Sequence, residues 1–121
     1  MPRVSHPSVT PLDRQDLLQA GGAVLLALGL YALTCARTVH VGDSPELATV
    51  AATLGVAHPP GYALYTLLSC AWVSLLSAAL EPAHAANLLS GLFAAAGVGL
   101  FWLLSRRLGL ARAACWASTG C

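Results

Sequence analysis

Charge is what this sequence has least of. Only 9% of its 121 residues are charged, where an ordinary soluble domain carries about a quarter. Lysine is missing altogether. The six basic residues are Arg3, Arg14, Arg37, Arg106, Arg107 and Arg112, too scattered to form a patch that neutralises phosphates. That excludes a nucleic-acid-binding module, and the net charge of +1 points to no partner. Cysteines are few and far apart: Cys35, Cys70, Cys115 and Cys121. With no CxxC or Cys/His ligand spacing, neither a zinc site nor a disulfide framework is indicated. Apolar residues are abundant instead, at 57% of the chain, with a mean hydropathy of +0.71. Such density excludes a disordered tail and an ordinary soluble globule. It leaves a membrane protein, whose apolar side chains are solvated by lipid.

A bilayer crossing needs about 20 predominantly apolar residues. Residues 17–36, 62–80 and 86–105 each come close to that length. The expected architecture is an all-α integral membrane chain with about three transmembrane helices. The remaining segments are a flexible N-terminus (1–16), an outward loop (37–61) carrying a short interfacial helix (45–54), a short loop (81–85) and a tail (106–121). The first run is longer than the apolar core of a signal peptide, and Asp13 and Asp16 precede it. Phe101 and Trp102, near the end of the third run, are residue types of the membrane interface. Gly91, Ala95 and Gly99 repeat every four residues, a spacing that lets another helix approach closely. With three spans, Arg3 and Arg14 lie on one side and Arg37, Arg106, Arg107 and Arg112 on the other. On that count the positive-inside rule puts the N-terminus outside.

The chemistry concentrates in the loop after the first run, where Asp43 and Glu46 sit together. Ser44 suits an N-cap and Pro45 the first helical position, where a missing N–H does no harm. Glu46 then falls in the first turn, where the helix dipole favours a negative charge. Leu47, Val50, Ala51 and Leu54 share one helical face, and Gly55 fits a helix stop. About three turns are too short to cross, so the helix is expected to lie along the membrane surface. His58-Pro59-Pro60-Gly61 is a stiff turn that returns His58 and Tyr62 toward the helix start. Free backbone N–H groups at that start are a ready anion site.

Each residue also has a plainer reading. Asp43 can be a second capping group, Glu46 a complement to the dipole, and His58 an exposed loop histidine. Tyr62 and Tyr65 can be interfacial anchors. His40, Asp43, Glu46 and His58 could ligate a metal, but their spacing matches no established ligand pattern, so no metal site is expected.

Residues 42–65, GDSPELATVAATLGVAHPPGYALY, resemble the signature of the transmembrane protein 260-like family of protein O-mannosyltransferases. The match runs through Gly42, Asp43, Ser44, Glu46 and Leu47, and then from Leu54 to Tyr62. Asn87 to Phe93 adds a second familiar segment. Pro45 stands where many members have Gly. The resemblance implies the N-terminal portion of a GT-C type multi-span fold, whose first loop faces the lumen or periplasm and holds a catalytic acid. It implies transfer of a sugar, by expectation mannose, from a polyprenyl- or dolichyl-phosphate donor to Ser or Thr hydroxyls of a protein. No cofactor beyond that lipid-linked donor is implied. By the same carry-over, Asp43 is the expected base, with Glu46 orienting the acceptor or tuning Asp43. Ser44, His58 and Tyr62 are the expected donor-binding residues. The implied location is the endoplasmic reticulum membrane in a eukaryote or the inner membrane in a bacterium, and this overrides the arginine count. The family's enzymes have many more spans, so the 121 residues alone are expected to be inactive. The alternatives are a small non-catalytic helical membrane subunit and a transporter fragment. The transporter reading expects ionisable groups inside the spans, and the three runs contain none.

Overall fold

The computed structural model describes residues 10–39 and 41–119. Among them are five helices and no strand: α1 (Arg14–Thr34), α2 (Ser44–Thr53), α3 (Ala63–Leu76), α4 (Pro82–Arg107) and α5 (Arg112–Thr119). Residues 1–9 of the expected flexible terminus lie outside the described residues. Two helices have the length and composition of a membrane span, α1 with 21 residues and α4 with 26. At 1.5 Å per residue they measure about 31 and 39 Å, enough for a hydrocarbon core of about 30 Å. Most of their leucines face outward, with Leu33 89% exposed and Leu25 71%, as a lipid-solvated helix requires.

Among the described residues, two helices rather than the three expected are long and apolar enough to cross a membrane. The middle run forms only the 14-residue α3, and residues 77–79 turn away from the helix. At about 21 Å, α3 falls short of the hydrocarbon core. The pairing of chain ends agrees. Arg106, at the end of α4, donates to Asp16, in the first turn of α1, at 2.9 Å, and the Thr10 N–H donates to the Arg107 carbonyl at 3.1 Å. Three crossings between residues 16 and 106 would place those residues on opposite membrane faces. An even number places them together.

The chain clusters into two compact units, each with its own core. The first combines the start of α1 with the end of α4 and α5. Its core is Ala20, Ala23, Trp102 and Cys115, flanked by Val98 and Leu103. Trp102 is fully buried, edge-on to Trp116 at 6.4 Å, so it packs a core and does not anchor at the interface. Gly99 lets α4 approach α1, because a Cβ there would stand 2.5 Å from Val24 Cγ2. Four charges close the unit. Asp16, only 1% exposed, accepts from Arg106 and from Arg112 at 3.0 Å, and Arg112 reaches Asp13 at 2.5 Å. Arg106 also donates to the Leu110 carbonyl. The tail, read from sequence without structure, thus holds α5, tied by Arg112 to the start of α1.

The second unit spans Leu30–Phe93 and carries α2 and α3. Ala51 of α2, Val73 of α3, and Ala85 and Ala86 of α4 form its core, with Trp72, Leu76 and Leu80 against them. Small residues at these positions let the helix backbones approach closely. Trp72 Nε1 donates to the Ala85 carbonyl at 3.0 Å, which satisfies its polar edge. Asn87 Nδ2 donates to the Ala36 carbonyl at 3.1 Å, tying the segment after α1 to the first turns of α4. Gly91 leaves room for Tyr31, whose Cβ would lie 3.1 Å from an added Cβ.

Candidate functional site

The site is built where α2 begins and where the chain turns into α3. The helix starts one residue earlier than the sequence suggests. Ser44 is the first helical residue and is half-buried, while Asp43 takes the N-cap place. Pro45 still falls in the first turn, among the N–H groups that a helix leaves unpaired. The Asp43 carboxylate makes no capping hydrogen bond and is exposed. The cap is a backbone matter, with the Leu47 N–H donating to the Asp43 carbonyl at 2.9 Å. This carboxylate is therefore not spent on the helix.

Ala48, Val50 and Ala51 form the buried face of α2, which packs on α3. Leu54, expected on that face, is exposed. It ends the helix in the left-handed region at φ 53°, in place of Gly55. The Gly55 N–H still reaches back to the Val50 carbonyl at 3.2 Å and closes the helix end. The chain then turns at 58–61, with the Gly61 N–H on the His58 carbonyl at 2.8 Å. Gly61 has φ +86°, and the Pro59–Pro60 peptide is cis.

This turn delivers His58 to Glu46. The His58 main-chain N–H donates to Glu46 Oε1 at 2.6 Å, and its Nδ1 pairs with Oε2 at 2.8 Å. The Tyr62 ring meets the imidazole edge-on, with centroids 5.6 Å apart. The His58 amide, then its ring, hold the Glu46 carboxyl below the usual carboxylate range. The hydrogen bond to Glu46, then the carboxylate's charge, push the imidazole above its ordinary value, and the Asp43 charge adds to that push. Of the residues singled out from sequence, Glu46, His58 and Tyr62 thus form one cluster, and Asp43 lies within electrostatic reach of it. The Glu46–His58 pairing was not foreseen. Its signal was the helix start and the His-Pro-Pro-Gly turn, 12 residues apart with a helix stop between. Tyr65 uses its hydroxyl on Ser90 Oγ at 3.2 Å.

Below the turn lies a cavity of about 450 Å³, lined by apolar parts of Leu54, Val56, Pro60, Ala63 and Leu67 together with Thr66. Thr66 Oγ1 is buried there with no hydrogen-bond partner among the described residues. His40, part of the metal alternative, lies outside the described residues. Among the described residues no group of three or more His, Cys, Asp or Glu side chains could hold a metal ion.

Among the described residues the fold is all-helical, with two helices long and apolar enough to cross a membrane. Residues 43–117 match the family described as protein O-mannosyl-transferase TMEM260 N-terminal domain, and the chain belongs to that family. It is 41% identical over 96 residues to the protein O-mannosyl-transferase TMEM260 of Mus musculus, covering 78% of this chain and 14% of the mouse protein. It is 51% identical over 39 residues to the corresponding protein of Dictyostelium discoideum, covering 32% of this chain and 5% of that relative. The chain thus spans about one seventh of the mouse relative's length. No solved structure matches it.

Proposed function

We propose that this segment forms the catalytic rim of a membrane glycosyltransferase of GT-C type. It transfers a sugar, mannose by its relatives' name, from a polyprenyl- or dolichyl-phosphate donor to Ser or Thr hydroxyls of a protein. The observation that carries this reading is the Asp43 carboxylate, exposed at a helix start without a capping bond. Such a donor brings its own leaving group, so the protein has to strip a proton from the acceptor hydroxyl and align it with the anomeric carbon. Asp43 is the base in an inverting displacement, a role that contributes on the order of 10² to 10⁴ in rate. Glu46 is the second acid of the site. His58 and the N–H groups around Ser44 receive the donor phosphate, and the Tyr62 ring flanks them. The apolar hollow beside Thr66 suits the first isoprene units of the lipid.

The paired ends of α1 and α4 support a topology with two crossings. Residues 37–81 then lie on one face, and both ends of the segment on the other. Arg14, Arg106, Arg107 and Arg112 share the second face, against Arg37 alone on the first. The positive-inside rule now puts the ends in the cytosol and the loop in the lumen or periplasm. In a eukaryote that membrane is the endoplasmic reticulum, and in a bacterium the inner membrane. Turnover needs the rest of the enzyme to enclose both substrates, so the segment alone is inactive. The alternative, a non-catalytic helical membrane subunit or truncated form, keeps the same fold without the proton transfer. The deciding experiment puts Asp43→Asn into a full-length family member carrying this segment. Mannose transfer from dolichyl-phosphate mannose to a Ser/Thr peptide should fall at least about 100-fold, with membrane yield unchanged. Wild-type turnover in the Asn variant would refute the assignment.

A further inference from the structure

We propose that Glu46 is a positioning residue that locks the His58 imidazole so that its Nε2–H points to an anionic phosphate ester of an isoprenoid lipid. The proposal deepens the reading above and rests on it. Three observations carry it. First, Glu46 spends both carboxylate oxygens on one residue, Oε1 on the His58 amide and Oε2 on Nδ1. Two contacts from one rigid carboxylate fix both the main chain and the ring plane, a precision that a single ion pair lacks. Second, with Nδ1 committed to Glu46, any ligand contact through the ring falls to Nε2. Third, the Tyr62 ring packs edge-on against the imidazole at an interplanar angle of 75° and so restrains its tilt. A carboxylate that orients a histidine through one nitrogen, and so selects the tautomer and charge of the other, is a recurring device at sites where that other nitrogen meets a ligand.

The charged groups acting on His58 are Glu46, on α2, and Asp43, at its cap. Both favour the imidazolium, the form that donates from Nε2. Tyr62, where the chain enters α3, contributes an uncharged ring edge. The two acids serve different ends in this arrangement. Asp43 keeps its carboxylate for the acceptor, and Glu46 works through the imidazole and touches neither substrate.

The test uses a full-length family member carrying this segment, in lipid nanodiscs with ¹⁵N-labelled histidine, and farnesyl phosphate as the probe. His58→Gln assigns the resonance. In the wild type, His58 should show an Nδ1–H engaged in a hydrogen bond and should titrate above an ordinary histidine. Farnesyl phosphate should move Nε2 and leave Nδ1 in place. Glu46→Gln should return the titration toward the ordinary value and weaken farnesyl phosphate by about tenfold, the effect of one charge-assisted hydrogen bond. The sign is discriminating. If Glu46 acted only as a negative charge near the phosphate, its neutralisation would tighten binding. Unchanged or tighter binding in Glu46→Gln, or an Nδ1 without a hydrogen bond in the wild type, overturns the proposal and leaves the lipid-phosphate donor standing. No binding of farnesyl phosphate to the wild type overturns the donor reading as well. Helical circular dichroism equal to wild type shows that the variant is folded.

Discussion

Two glycines of α4, two residues apart, should respond to the same substitution with opposite signs. A Cβ built at Gly97 meets nothing within 4 Å, whereas one at Gly99 would sit 2.5 Å from Val24 Cγ2. Replacing a helical glycine by alanine stabilises by about 0.8–1 kcal/mol through the backbone alone. Gly97→Ala should show that gain. Gly99→Ala carries the same gain but adds an overpacking cost of about 1–3 kcal/mol. Val24 cannot easily swing aside, because a β-branched side chain in a helix has one strongly preferred rotamer. The propensity terms cancel in the comparison, so the two variants should differ by about 1–3 kcal/mol, with Gly99→Ala the weaker. Adding Val24→Ala should restore part of the loss, as expected for residues in direct contact. Reversible unfolding in mixed micelles, followed by the fluorescence of buried Trp102, measures the wild type, the three single variants and the double variant. Equal stability of the two alanine variants, or strict additivity with Val24→Ala, would refute the packing of α4 on α1 at this level.

Four further outcomes are expected. Arg112→Ala should release α5 and raise the rate of proteolysis across 108–119, and Asp13→Asn should do so less, because Asp16 still holds Arg112. Single cysteines at Val41 and Leu108, in a chain with its own cysteines replaced, should label with impermeant maleimide from opposite faces of sealed vesicles; labelling from the same face would end the two-crossing topology. The Glu46–His58 pair should protect the His58 amide from hydrogen exchange only within a pH window. The depressed Glu46 carboxyl supplies a contribution present above the ordinary carboxylate pKa and lost as pH falls through its lowered value. The raised His58 imidazole supplies one fully present below the ordinary histidine pKa and lost as pH rises through its raised value. In Glu46→Gln the protection should lose both edges of that window.

The short helix at the site was legible because its signals are local. Proline in the first turn, an acid beside it and a three-four apolar spacing act within ten residues, and α2 lies within a residue of the expected place. The length of the middle helix was not legible. Residues 62–80 satisfy a composition count, yet the helix ends at Leu76, and hydropathy does not report where a backbone turns. Chain-end pairing was equally hidden. Asp16 and Arg106 are 90 positions apart, and only the folded chain makes them neighbours. Once they are, a two-crossing path would gather Arg14, Arg106, Arg107 and Arg112 on one face, in keeping with the orientation that the family resemblance implies. Trp102 taught a related lesson. Its residue type suits a membrane interface, but Ala20 and Ala23 on α1 leave a space that an indole fills. The glycine spacing of α4 indicates room for a neighbour without saying which; Val24 and Tyr31 supply it.

Leu54 and Tyr62 both sit in the left-handed region without being glycine, at φ 53° and 45°. For an L-residue with a side chain, that conformation costs about 1–2 kcal/mol each. The stretch between them behaves as a bent spring clamped at both ends by the packing of α2 on α3 and latched near its midpoint by a carboxylate. Whatever lifts the latch slackens the chain on both sides at once, so the aim of the imidazole is the easiest geometry in this unit to alter.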